Sequence, residues 1–198
     1  MIVLALDTTG PHCAAAVARG DAVLAHASER IGRGHAERLA PMVIDTLREA
    51  GVEAGEVGRL AVCTGPGSFT GLRVALSYAK GFALPRRLPV VGVDALEIEA
   101  ERLRRGGDAL AVTFRDVRRG EVFAAQYSHG GPLEPPRAMT LEAAQALADD
   151  VQAGLFEADE ADMPTLARMA AALDPAAYPA VPLYARAPDA KLPGGVSL

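Results

Sequence analysis

The chain has no tryptophan, two cysteines, two lysines and an aromatic content of only 5% across 198 residues. Its cysteines, Cys13 and Cys63, are far apart in apolar surroundings, which excludes a disulfide framework and a cysteine-rich zinc module. Each reads as a small buried hydrophobe rather than a nucleophile. No apolar run approaches the roughly 18 residues needed to span a bilayer. No basic segment precedes an apolar one at the start, where Met1 to Leu6 runs straight into Asp7. The expectation is a soluble protein of the reducing cytoplasm, with no membrane partner. Positive charge is not in excess: Lys and Arg total 20 against 25 Asp and Glu, a net charge of -5. Such a chain has no global attraction to nucleic acid. Arg102, Arg104 and Arg105 end a helix, and Arg115, Arg118 and Arg119 lie near a hairpin. No aromatic residues interleave with them, so a stacking platform for bases is lacking. They read as a helix C-terminus complementing its dipole and a solvated turn.

What is present is apolar: half of the residues, enough to bury a sizeable core in one domain or two small lobes. The 40 alanines, and the 18 arginines set against two lysines, read as genomic composition. Ile2–Leu6, Cys13–Ala18 and Ala22–Ala27, split by turn residues, predict a β-meander. His35–Ala50 is helical in period, with Pro41 expected to kink it and Gly51 to close it. Leu60–Thr64 predicts a strand, Leu72–Leu84 a second helix, Pro89–Val93 a strand and Ala95–Arg105 a third helix. Ala109–Phe114 and Glu121–Tyr127 read as a hairpin. Thr140 caps a helix to Asp150, and Pro164 sits in the first turn of another, to Leu173. The last 20 residues, rich in proline, read as extended. The organisation is mixed α/β with a first lobe over 1–93 and a smaller second lobe over 94–198.

The chemistry concentrates in the first lobe. Gly65-Pro66-Gly67-Ser68-Phe69-Thr70-Gly71 joins a strand to a helix, where backbone N–H groups can hold an anion. It lacks the lysine of a Walker A loop and the final glycine of G-x-G-x-x-G. The simpler reading is a tight turn with Ser68 or Thr70 as N-cap. Asp7-Thr8-Thr9 ends the first strand, where an acid and hydroxyls could hold a metal-bound phosphate, or merely close an Asx turn. Asp7, Thr8, Thr9, Gly65, Gly67, Ser68 and Thr70 are therefore the phosphate- or nucleotide-proximal candidates. His35 opens a helix, but Leu39 stands where a second metal ligand would be, and His12, His26 and His129 show no ligand spacing. No metal site and no catalytic residue is expected. A G-x-S-x-G elbow is also absent.

Both first-lobe helices are more apolar than one core contact requires, over arcs of roughly 200°. In the second, Arg73, Ser77 and Lys80 form the only polar stripe. The expectation is that Leu39, Met42, Val43 and Leu47 of the first helix, with Leu72, Ala75, Ala79 and Phe82 of the second, meet a partner protein. Small Gly71, Ala75 and Ala79 would permit close helix approach.

Taken together, these stretches resemble one family. They are Ile2–Thr9, His35-Ala36-Glu37-Arg38-Leu39-Ala40-Pro41-Met42, the run from Gly65 through Leu72 to Arg73, Asp116–Phe123, and Pro182-Leu183-Tyr184-Ala185-Arg186. The chain resembles bacterial TsaB (YeaZ), poorly only over Ser128–Tyr178. The resemblance implies an α/β fold of the actin-like, sugar-kinase type (ASKHA) in two lobes, the second reduced. It implies a non-catalytic scaffold in making threonylcarbamoyl on adenosine 37 of ANN-decoding tRNAs. Its implied partners are the transferase TsaD, by heterodimerisation through the two helices, and the ATPase TsaE in a ternary complex. It implies a homodimer when alone and contact with tRNA only through the complex. No tightly bound cofactor is implied, and ATP or ADP would sit at the complex interface. TsaD-type paralogues carry two histidines where this chain has His35 and Leu39. The alternatives are an ASKHA-type phosphotransferase or ATPase and, more remotely, an M22-like metallopeptidase.

Overall fold

The computed structural model describes residues 1–117, 120–128 and 131–184. Arg118, Arg119, His129, Ala185 and Arg186, which figure in the sequence reading, lie outside them. The chain opens with the expected meander of β1 (Ile2–Asp7), β2 (His12–Arg19) and β3 (Ala22–Arg30). Helix α1 (His35–Glu49) follows and continues as one helix through the exposed Pro41. Strand β4 (Val57–Cys63) pairs parallel with β1, α2 (Phe69–Ala83) crosses back, and β5 (Val90–Val93) pairs parallel with β4. The order is β3-β2-β1-β4-β5. β1 is buried along its whole length, hence its unbroken apolar run.

Helix α3 (Ala95–Gly106) leads to the antiparallel pair β6 (Leu110–Asp116) and β7 (Val122–Ser128). Two short strands, β8 (Gly131–Pro132) and β9 (Arg137–Met139), both pair with β7. Helix α4 (Leu141–Asp150) is capped by Thr140, as its sequence predicts. β10 (Gly154–Glu157), absent from the sequence reading, pairs parallel with β6. α5 (Met163–Ala172) carries the predicted proline in its first turn. Two mixed sheets flanked by helices, the second smaller in its strands, make up the expected mixed α/β architecture.

The layers follow from the two-residue period of the strands. Leu4, Leu6, Val17, Leu60 and Val62 face α1 and α2. Val3, Ala5, Ala14, Ala16, Ala18 and Ala61 face the opposite way, against α3 and α5 and, beyond them, Phe123, Ala125 and Tyr127 of the second sheet. α4 covers that sheet's far side through Ala144 against Val122 and Ala124. The alanines are therefore not compositional background here: they pave the sheet beneath α5, which presents Ala167 and Ala170. Arg59 of β4 holds the end of α5, donating to the carbonyls of Ala170 at 2.6 Å and Leu173 at 2.8 Å. These carbonyls lack helical partners of their own. A division at residue 93 thus marks the end of the first sheet but not of its packing unit, because α5 returns to it.

The burial of α1 and α2 corrects the expected partner face. Leu39, Met42, Val43, Leu47, Leu72, Ala75 and Ala79 are all buried in the protein's own core. Phe82 is half-buried at its margin. The sheet takes the centre of each apolar arc, so what remains for a partner is its edge. Among the described residues, no helix is long and apolar enough to cross a membrane.

Candidate functional site

Asp7, Thr8 and Thr9 end β1 with almost no exposure. The Asp7 carboxylate accepts the Thr9 N–H at 2.7 Å, closing an Asx turn. The Thr8 hydroxyl donates to the Gly71 carbonyl at 2.6 Å and accepts the Ala75 N–H at 3.1 Å, which locks α2 onto the strand end. That approach explains the last glycine of the loop: a Cβ on Gly71 would stand 1.9 Å from the Thr8 carbonyl oxygen. Ser68 N–H donates to the Thr9 carbonyl at 2.8 Å, and Ser68 Oγ accepts Gly71 N–H at 2.9 Å as N-cap of α2. The loop is thus a capped strand-to-helix turn seated directly on Asp7-Thr8-Thr9.

A cleft of about 1310 Å³ opens beside it. Of the seven phosphate-proximal candidates, Thr9, Gly67, Ser68 and Thr70 line this cleft, whereas Asp7, Thr8 and Gly65 do not. Sequence reasoning missed Arg115 there and placed it in a solvated turn. It is buried, and its guanidinium donates to Thr9 Oγ1 and the Pro66 carbonyl at 2.9 Å each and to the Asp159 carbonyl at 2.7 Å. Its acceptors come from the turn after β1, the glycine loop and the stretch after β10, and no local signal joins these. His35 also lines the cleft, with Nε2 buried and unpaired. Among the described residues no three His, Cys, Asp or Glu side chains converge as metal ligands would. Burial pushes the Cys63 thiol up to about 12 and Cys13 up to about 11, so both are protonated, inert thiols.

On the outer side of α1 and α2 lies a groove of about 620 Å³, lined by Ala36, Leu39, Phe69, Thr70, Arg73, Val74, Ser77 and Tyr78. Of the eight expected partner residues only Leu39 reaches it. Ala36, Thr70, Arg73 and Ser77 are exposed. Ser77 and Arg73 belong to the polar stripe of the sequence reading, which is therefore the accessible face.

A separate acidic pair sits at the start of α3. Asp94 caps the helix by accepting Glu97 N–H at 2.9 Å. The Tyr127 hydroxyl donates to Asp94 at 3.3 Å, and the Tyr178 hydroxyl to Glu97 at 2.8 Å. Burial raises Asp94 and, with the negative charge of Asp94, pushes Glu97 up to about 7. The Tyr178 hydrogen bond opposes that shift.

Residues 26–175 match the family described as TsaD, tRNA N6-adenosine threonylcarbamoyltransferase. Escherichia coli TsaB is 38% identical over 64% of this chain and 55% of its own length. The chain thus spans about half the length of that relative. An uncharacterized protein of Mycobacterium tuberculosis is 36% identical over 96% of this chain and 93% of its own. A crystal structure from Pseudomonas aeruginosa, titled as similar to peptidase YEAZ, superposes with a TM-score of 0.74 at 30% identity, over 93% of this chain and 99% of that one. By its likeness to these proteins the chain belongs to the TsaB (YeaZ) family, and most of it also matches the family described as TsaD.

Proposed function

We propose that this protein is a non-catalytic scaffold in tRNA threonylcarbamoyladenosine biosynthesis, acting in the cytoplasm by heterodimerising with TsaD. TsaE joins the ternary complex, and tRNA is met only through it. ATP or ADP belongs to the complex interface, and alone the chain pairs with itself. The observation that carries this reading is the groove between α1 and α2, where Phe69, Val74 and Tyr78 lie beside small Ala36 and Ser77. Tyrosine, phenylalanine and arginine, here Tyr78, Phe69 and Arg73, are the side chains enriched at the centre of protein interfaces. The phosphotransferase alternative needs an Asp7 carboxylate open to the cleft. Asp7 is instead buried and engaged by the Thr9 N–H.

Size-exclusion chromatography with light scattering on a mixture with TsaD from the same organism tests the proposal. The expected result is a one-to-one complex that transfers threonylcarbamoyl to tRNA when TsaD alone does not. Ser77→Arg, on the exposed groove, should abolish the complex while moving Tm by no more than about 2 °C. Separate peaks for the unaltered proteins, well above micromolar concentration and with ATP present, would sink the scaffold reading.

A further inference from the structure

The stretch 178–184 belongs to no helix or strand, yet it is tied down along its length. The Tyr178 carbonyl accepts Gly92 N–H at 3.0 Å, Pro179 bridges antiparallel to Val91, and Leu183 N–H donates to the Thr64 carbonyl at 2.8 Å. Gly92 makes room for it: a Cβ there would stand 2.8 Å from the Pro179 carbonyl oxygen and 2.9 Å from Ala180 Cα. The segment is a strap along the outer edge of β5, where unpaired backbone groups would otherwise lie open. Its far end delivers Tyr184 to the start of α2. There the Tyr184 and Phe69 rings are 5.3 Å apart and tilted by 34°, and the Arg73 guanidinium lies 3.7 Å over the same Phe69 ring. Tyr184 lines the cleft, Arg73 lines the groove, and Phe69 lines both.

We propose that Tyr184 is a positioning residue of the partner surface: it braces Phe69 and, through that ring, orders Arg73 at the mouth of the α1–α2 groove. The proposal rests on the scaffold reading of that groove and adds the strap to it. Phe69 is the first residue of α2 and is 46% exposed, so its own helix does not confine its ring. Contact with both an aromatic ring and a guanidinium fixes this wall before the partner arrives, and association then orders fewer side chains. The occupant that fits is a TsaD surface with an apolar strip for Val74 and Tyr78 and an acceptor for Arg73.

Two readouts on Tyr184→Ala and Tyr184→Phe test it. With ring-labelled phenylalanine, the Phe69 NMR signals, assigned through Phe69→Leu, should move toward unstructured positions in Tyr184→Ala and hold in Tyr184→Phe. In calorimetric titrations with TsaD, Tyr184→Ala should weaken binding about tenfold, and Tyr184→Phe should restore it to within about twofold of the unaltered protein. Unmoved Phe69 signals in Tyr184→Ala, or unchanged affinity while the unaltered protein binds, overturn the positioning role alone. Failure of the unaltered protein to bind overturns the scaffold reading and this proposal with it.

Discussion

Arg115 gathers three acceptors, one each from the turn after β1, the glycine loop and the stretch after β10. Replacing it by alanine leaves the Pro66 and Asp159 carbonyls without that donor and widens the cleft that it lines. Arg115→Ala should therefore cost about 2–4 kcal/mol, read as a lower urea midpoint. Arg115→Lys should recover only part, because an ammonium cannot span acceptors as a planar fork does. Glu97 carries a second residue-scale expectation. Its carboxyl is raised from 4.5 to about 7 in the folded protein, so its contribution is complete below pH 4.5 and is lost as pH rises through about 7. Glu97→Gln should flatten the pH dependence of stability in that window and make the variant more stable than the parent at pH 8, by roughly 1–2 kcal/mol after allowance for solvent screening. Tyr178→Phe removes the hydrogen bond that favours the charged form and should raise the Glu97 titration further. Carboxyl-carbon NMR measures both, and a Glu97 titrating near 4.5 would contradict the burial argument.

At the scale of elements, the sequence made most of the fold legible where period and punctuation agreed. The meander, α1, the Ser68 and Thr140 caps and the β6–β7 pair lie as their residues predict. β10 was illegible because Gly154-Leu155-Phe156-Glu157 is short and half-exposed, without alternation. The helix faces were legible in breadth but not in phase. An apolar arc says that a helix buries two kinds of surface, and only the position of the sheet says which residues go where. Ala75 and Ala79 went inward because β1 and β4 lie beneath them, and Leu72 is buried with them. Ala75→Arg is accordingly a folding variant: an unpaired charge against the sheet should cost several kcal/mol and abolish the cooperative thermal transition by circular dichroism. Ser77→Arg, two positions on and exposed, should melt like the parent. The candidate site divides in the same way. Local hydrogen bonding made the Asp7-Thr8-Thr9 turn and the Ser68 cap readable, whereas Arg115 and Tyr184 depend on contacts between distant segments.

At the scale of the whole molecule, helices and sheets alternate, with α5 packed on the first sheet, α3 on the second, and the two helices against each other between them. α5 carries the largest consequence of this arrangement. The five strands of the first sheet are all translated before residue 94, but the helix that seals their alanine face ends at Ala172. On the ribosome that face stays without its α5 cover until the second sheet's strands have also been made. The first sheet is therefore made well before it can close, and it waits on an element from the far side of the second sheet's strands. A nascent chain of this protein presents an open, weakly featured apolar sheet, and its protection in the cell falls to whatever meets it before α5 arrives.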